Sequence, residues 1–213
     1  MTAFADVEEA IELLDKVIRL SFANHWNVHS AVGGKYGELF VAKELWEHQP
    51  LIGKERKIRG ADVFLARTGK RIEAKWGMLH HEPDDYYFKV RGSVPYWGWG
   101  FSKGNQFLRN RFDYCVMLAA RRNEAAPQHV FVLTLGEMRK GMGLRVSGEA
   151  GKKARSYFIE TSDDSHYFEE RARSMKSKFG SQLRELAVEE SLLDRESHRR
   201  RWKQLINLGR LTA

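Results

Sequence analysis

The chain has a single cysteine, Cys115, so an intramolecular disulfide cannot form and a zinc site built on paired cysteines is excluded. Cys115 lies in the apolar run Tyr114 to Leu118, where a thiol reads as an inert core residue. Long hydrophobic runs are also missing. Nothing approaches the ~20 consecutive apolar residues that a membrane-spanning helix needs. Near the start stand Asp6, Glu8 and Glu9, with no basic-then-apolar leader, and these absences together lead to the expectation of a cytoplasmic protein. The histidines lack metal spacing: His25 and His29 are four apart and His80 and His81 adjacent, but no His-Glu-x-x-His occurs. They read as surface or capping residues. No internal repeat or low-complexity tract is present.

Acids are in deficit. Lysine and arginine number 36 against 28 aspartates and glutamates, a formal net charge of +8, which favours a polyanionic partner. The excess gathers in three places: Lys54, Arg56, Lys57 and Arg59; Arg139, Lys140, Arg145, Lys152, Lys153 and Arg155; and Arg199, Arg200 and Arg201. Each run reads either as a solvated face or as a set of phosphate contacts.

What the chain does contain is helical and strand periodicity in alternation. Val7, Ala10, Ile11, Leu14, Val17, Ile18 and Phe22 predict an amphipathic helix over 6–24. Gly33-Gly34 is expected to separate it from a second helix over 34–45 that ends before Pro50. Residues 52–59 suit a strand, Tyr86 to Val90 a further strand or an insertion, and Ser102 to Arg111 a helix. Asp113 to Ala119 and His129 to Leu135 read as buried strands. Beyond Ser165 the pattern is helical and charged, with Leu183, Leu186, Ala187 and Leu193 on one face. Residues 76–101 are rich in aromatics (Trp76, Tyr86, Tyr87, Phe88, Tyr96, Trp97, Trp99, Phe101), which suit a core or dimer interface, or a surface that stacks on bases. From pattern alone the fold class is mixed α/β.

The most informative segment is 60–76. Two β-prone runs, Asp62 to Ala66 and Arg71 to Trp76, flank Thr68-Gly69 and predict a hairpin. With a two-residue turn, Asp62 would face Lys75, Phe64 would face Glu73, Val63 would face Ala74 and Leu65 would face Ile72. One face is then wholly apolar, and the other gathers Asp62, Glu73 and Lys75. That charged face is either a solvated cross-strand pair or a binding site, because burying such charges costs free energy unless they are paired or ligated. On the preceding helix Glu38 has Val41, Ala42 and Leu45 at i+3, i+4 and i+7, so its carboxylate either shares an inward stripe or reaches out to solvent.

Asp62 on one strand, Glu73-Ala74-Lys75 on the next and Glu38 on a helix before them resemble the PD-(D/E)xK nuclease superfamily, over roughly residues 33–120. Ala61 stands where the family motif nominally has proline. The resemblance implies a restriction-endonuclease-like core in which a central mixed β-sheet is flanked by helices in the order α-β-β-β-α-β. An N-terminal helix precedes it within a nuclease-like domain over 1–164, and a helical C-terminal extension covers 165–213.

It also implies Mg²⁺, with Mn²⁺ able to substitute. Asp62 and Glu73 would be direct ligands, the Ala74 carbonyl a further one, and Glu38 would hold an outer water or a second ion. Lys75 would position the attacking water and offset charge on the scissile phosphate. Lys54, Arg56, Lys57, Lys103, Gln106, Lys152 and Lys153 are candidate DNA contacts.

The expected activity is Mg²⁺-dependent endonucleolytic hydrolysis of duplex or branched DNA, restriction-type or junction-resolving, leaving 5′-phosphate and 3′-hydroxyl ends. A homodimer would present two equivalent sites to two strands. The alternatives are a non-catalytic nucleic-acid-binding protein with a nuclease-like fold, or a nuclease acting on RNA or single strands.

Overall fold

A computed structural model describes residues 4–23, 29–45, 61–65, 68–81, 94–102, 112–141, 156–164 and 194–210. Helix α1 (Phe4–Ala23) forms where the apolar spacing predicts it; Val7 and Ile18 are buried, and Ile11 and Leu14 pack beside Ile18. Helix α2 (His29–Glu44) runs straight through Gly33-Gly34, so the expected break there does not exist.

The physical reason for the Gly33 helix is a tryptophan far along the chain. A Cβ on Gly33 would lie 2.3 Å from Trp76 Cε3, and one on Gly37 would lie 3.1 Å from Trp76 Cβ. The two glycines, one turn apart, let the α2 backbone approach the strand that carries Trp76. Close packing there offsets the helix-propensity cost of about 1 kcal/mol per glycine. Gly34, by contrast, has nothing within 4 Å of its would-be Cβ. Gly33→Ala should therefore destabilise the protein by roughly 1–3 kcal/mol through overpacking. Gly34→Ala should stabilise it by about 0.5–1 kcal/mol. Urea unfolding of the two variants would check the opposite signs.

The remaining elements are β1 (Val63–Leu65), β2 (Lys70–His80), β3 (Tyr96–Ser102), β4 (Tyr114–Ala120), β5 (Pro127–Thr134), α3 (Leu135–Gly141), β6 (Ser156–Thr161) and α4 (Arg195–Arg210). The chain divides into two compact units: residues 1–77, 110–135 and 195–213, and residues 78–109 and 136–194.

In the first unit the strand order is β5-β4-β2, with β1 antiparallel to β2 and β4 antiparallel to β5. Val63, Leu65, Ile72 and Ala74 of the hairpin pack with Val116, Leu118 and Val132 of the neighbouring strands. Val41, Ala42 and Leu45 of α2 and Leu205 of α4 close that core. The hairpin's apolar face is thus the face the alternation predicts.

Helix α4 packs along β5, an end strand of this set. The Val132 peptide is met by side chains of α4. His198 Nδ1 stands 3.1 Å from Val132 N and 2.8 Å from Val132 O, and Arg201 Nη1 donates to the same carbonyl at 3.3 Å. Side chains here satisfy backbone groups that an uncovered edge would offer to another chain. The last helix therefore belongs to the first unit's core and is not part of an extension over 165–213. Leu183, Leu186, Ala187 and Leu193 lie outside the described residues.

In the second unit β3 pairs antiparallel with β6, from Trp97↔Thr161 to Ser102↔Ser156, and the end of β2 pairs with β3 through Leu79↔Trp97 and His80↔Tyr96. The His80 ring stacks on Tyr96 with centroids 4.9 Å apart. Tyr96, Trp97 and Trp99 are buried, so these three aromatics fill a core and offer no stacking surface. The segments 52–59 and 86–90, expected as a strand and as a further strand or an insertion, lie outside the described residues, as does 103–111 of the helix expected over Ser102 to Arg111, whose first residue ends β3 instead. Among the described residues no helix is long and apolar enough to cross a membrane.

Candidate active site on the hairpin

The hairpin register differs from the expected one by two residues. The observed pairs are Val63↔Ile72, Phe64↔Arg71 and Leu65↔Lys70. The cause is the turn: the paired positions Leu65 and Lys70 have four residues between them in the sequence, not two. The turn is closed by Gly69, whose N–H donates to the Leu65 carbonyl at 2.9 Å and whose φ of +67° is the left-handed conformation glycine adopts without strain. A slip of two keeps every side chain on its face, whereas a slip of one would have exchanged the faces. The charged residues stay together, but Asp62 is drawn toward Glu73 and Ala74 instead of sitting opposite Lys75.

Backbone contacts hold Asp62 in place. Its N–H donates to the Ile72 carbonyl at 3.0 Å, and its Oδ2 accepts the Ala74 N–H at 2.8 Å. Ala74 thus meets the site through its amide. Lys75 Nζ donates to Glu73 Oε1 in a direct ion pair. This face is not solvated: Asp62 is 7% exposed and Glu73 5%. On β4, Cys115 is buried on the face opposite Val116 and Leu118, close enough for Lys75, Glu73 and Asp62 to act on its thiol. Burial pushes that thiol's pKa up, so Cys115 stays a neutral wall of the site.

The electrostatics follow from burying two acids with one lysine. The Asp62 carboxyl is pushed up to about 7, first by burial, then by the charges of Glu73 and Glu38; the Ala74 N–H and Lys75 act the other way. Burial disfavours the Lys75 charge, yet contact with Glu73, with Cys115 and Asp62 behind it, outweighs burial and lifts the amine above its ordinary value. Lys75 is therefore a cation at neutral pH. The site carries more buried negative charge than its lysine neutralises.

Glu38 is brought near enough to act on Asp62, but its Oε2 pairs with Lys35 Nζ at 2.7 Å across one helical turn. Among the described residues no set of three or more His, Cys, Asp or Glu side chains converges as a metal site. Two hard carboxylates alone fit a divalent ion that keeps several waters, as Mg²⁺ does, and the surplus buried charge is what such an ion would neutralise. Asp62 and Glu73 are the residues that would hold it. Lys54, Arg56, Lys57, Lys103, Gln106, Lys152 and Lys153 lie outside the described residues.

A clamp beside the site has no local signature in the sequence. Asp113, just before β4, accepts from Arg71 N at 2.8 Å and Arg71 Nε at 3.2 Å, and its own N–H donates to the Arg71 carbonyl at 2.8 Å. This ties the start of β4 to β2 two residues from Glu73. Burial would raise the Asp113 pKa, but the Arg71 side chain and N–H outweigh it and hold the carboxyl below its ordinary value. The contact joins residues 42 apart, so only the fold reveals it.

Trp76 is a second such residue. Its Nε1 donates to the Ala125 carbonyl at 3.0 Å while its ring fills the space beside Gly33, which sets α2, and with it Glu38, against β2.

No family model matches the chain, and no curated protein or solved structure matches it.

Proposed function

We propose that the protein is a Mg²⁺-dependent endonuclease that hydrolyses DNA phosphodiester bonds on a restriction-endonuclease-like core. The observation that carries this reading is the buried pair Asp62 and Glu73, with more negative charge than Lys75 neutralises and with Asp62 raised to about 7 first by burial and then by the charges of Glu73 and Glu38. An acid pair kept at this cost inside a fold is a reason to look for a cation.

Asp62, oriented by the Ala74 N–H, and Glu73, oriented by Lys75, would hold the ion between them. When bound, the ion supplies Lewis-acid polarisation of the phosphoryl oxygen and a more acidic attacking water. Lys75, held protonated beside Glu73, offsets charge gathering on the phosphate. Attack by water at phosphorus breaks the bond to the 3′ oxygen, which leaves as a hydroxyl once protonated, and the phosphate stays on the 5′ end. Glu38, paired with Lys35, acts through its field on Asp62. Cutting both strands of a duplex calls for two such sites, which a two-fold dimer supplies.

Incubation with supercoiled plasmid tests the proposal. Conversion to nicked and linear forms is expected with Mg²⁺ or Mn²⁺ and none in EDTA; an intact plasmid in all three would reject it.

A further inference from the structure

Helix α4 divides its side chains sharply. Leu205 is buried, Trp202 and Ile206 pack on the same core, and His198 and Arg201 serve the Val132 peptide. Arg199, Arg200, Lys203, Gln204 and Asn207 are exposed on the remaining face. The sixteen residues contain five arginines and one lysine against a single acid, Glu196, which is +5 of the chain's net +8.

Arg201 apart, the cations of the exposed face make few contacts among the described residues. Among the described residues Arg200 and Lys203 have no salt-bridge partner, and Arg199 stands 3.7 Å from Glu196 with both side chains nearly two-thirds exposed, a pair that contributes little to stability. Arg199 and Lys203 are four residues apart and Arg200 and Lys203 three, so Lys203 neighbours both on the helix surface, with about 5–6 Å between Cβ atoms.

We propose that this face of α4 binds the phosphate backbone of duplex DNA, with Arg199, Arg200 and Lys203 as phosphate contacts and Gln204 and Asn207 as neutral hydrogen-bonding neighbours. The choice of DNA as the polyanion rests on the nuclease reading; the surface itself does not. A basic amphipathic helix can instead lie on an anionic membrane, but that mode needs its apolar face free to enter the lipid. Here the apolar face is committed to the protein core. What remains is a rigid, polar, cationic rod, and such a surface fits closely spaced backbone charges. Anchoring by His198, Arg201 and Leu205 fixes the helix that carries these cations before binding.

The test is fluorescence anisotropy of a labelled duplex oligonucleotide in EDTA, where cleavage does not enter, across a salt series. The wild-type protein is compared with the Arg200→Glu/Lys203→Glu variant and with anionic phosphatidylserine vesicles as a second probe. Both substituted positions face solvent, so thermal unfolding is expected to be unchanged. The variant should lose about tenfold or more in DNA affinity at low salt, and its slope of log K against log salt should flatten by roughly 1.8, the effect of two phosphate contacts. The wild type should bind the vesicles weakly by comparison.

Unchanged affinity and slope would overturn the proposal, as would charge reversal that removes vesicle binding but leaves DNA binding intact. Protein that binds in this way yet never cuts would defeat the nuclease reading alone. Protein that cuts, with DNA affinity indifferent to the variant, would defeat this one alone.

Discussion

Glu73→Gln and Asp62→Asn should each lower Mg²⁺-dependent plasmid cleavage by at least about a thousandfold, the several kcal/mol that metal-borne stabilisation of the transition state supplies. Both variants keep the size and much of the hydrogen bonding of the native side chain, so their folds should survive. Asn at 62 retains an oxygen for the Ala74 N–H. Lys75→Ala should also abolish cleavage, because a protonated amine beside the phosphate is lost. Lys75→Arg should retain part of the activity if the proposed role of Lys75 is charge. Single-turnover rates in Mg²⁺, with melting curves to confirm folding, would check the set. Cleavage by Glu73→Gln within tenfold of wild type would remove Glu73 from the mechanism.

Protein free of divalent ions should lose stability as pH rises from about 4 to about 7. In the unfolded chain Asp62 releases its proton near 3.8, whereas in the folded protein it does so near 7. Between those values the folded state binds more protons than the unfolded state, so stability falls with pH and levels off above the folded value. The upper limit of the effect is on the order of 4 kcal/mol.

Asp113 works in the opposite direction but elsewhere. Arg71 holds its carboxyl low, so the stability it contributes is lost only as pH falls below about 4. Asp62→Asn should therefore flatten the profile between pH 4 and 7, matching wild type near pH 4 and exceeding it at pH 8. Adding Mg²⁺ should stabilise wild type more at pH 8 than at pH 5, because only the ionised pair holds the ion, and should leave Asp62→Asn nearly unmoved. Urea unfolding in EDTA at several pH values reads this directly; a wild-type profile flat from pH 4 to 7 would mean Asp62 carries no excess burden.

Side-chain periodicity carried most of what could be read in advance. The hairpin's apolar and charged faces follow from the period of two, which survives a two-residue slip, so the clustering of Asp62, Glu73 and Lys75 is legible even with the register misplaced. The register itself depends on where the pairing closes, at Leu65 and Lys70, and on one left-handed Gly69, a distinction that Thr68-Gly69 does not signal. Gly33-Gly34 looks like a break because glycine is a poor helix former. The Trp76 ring that makes Gly33 necessary is more than forty residues away. The Arg71–Asp113 clamp and the seat of α4 on β5 are long-range contacts of the same kind, without local pattern. The three aromatics of β3 were open to two uses from composition alone, and strand pairing decided for the core.

The central claim is that Asp62 and Glu73 form one divalent-cation site. Titration of Mn²⁺ into the ion-free protein, followed by electron paramagnetic resonance at pH 8, measures this most directly. The account predicts that tight Mn²⁺ binding by wild type is lost in both Asp62→Asn and Glu73→Gln, while Lys75→Ala still binds. Mn²⁺ binding equal in wild type and the two carboxylate variants, or none by wild type at millimolar Mn²⁺, would contradict it.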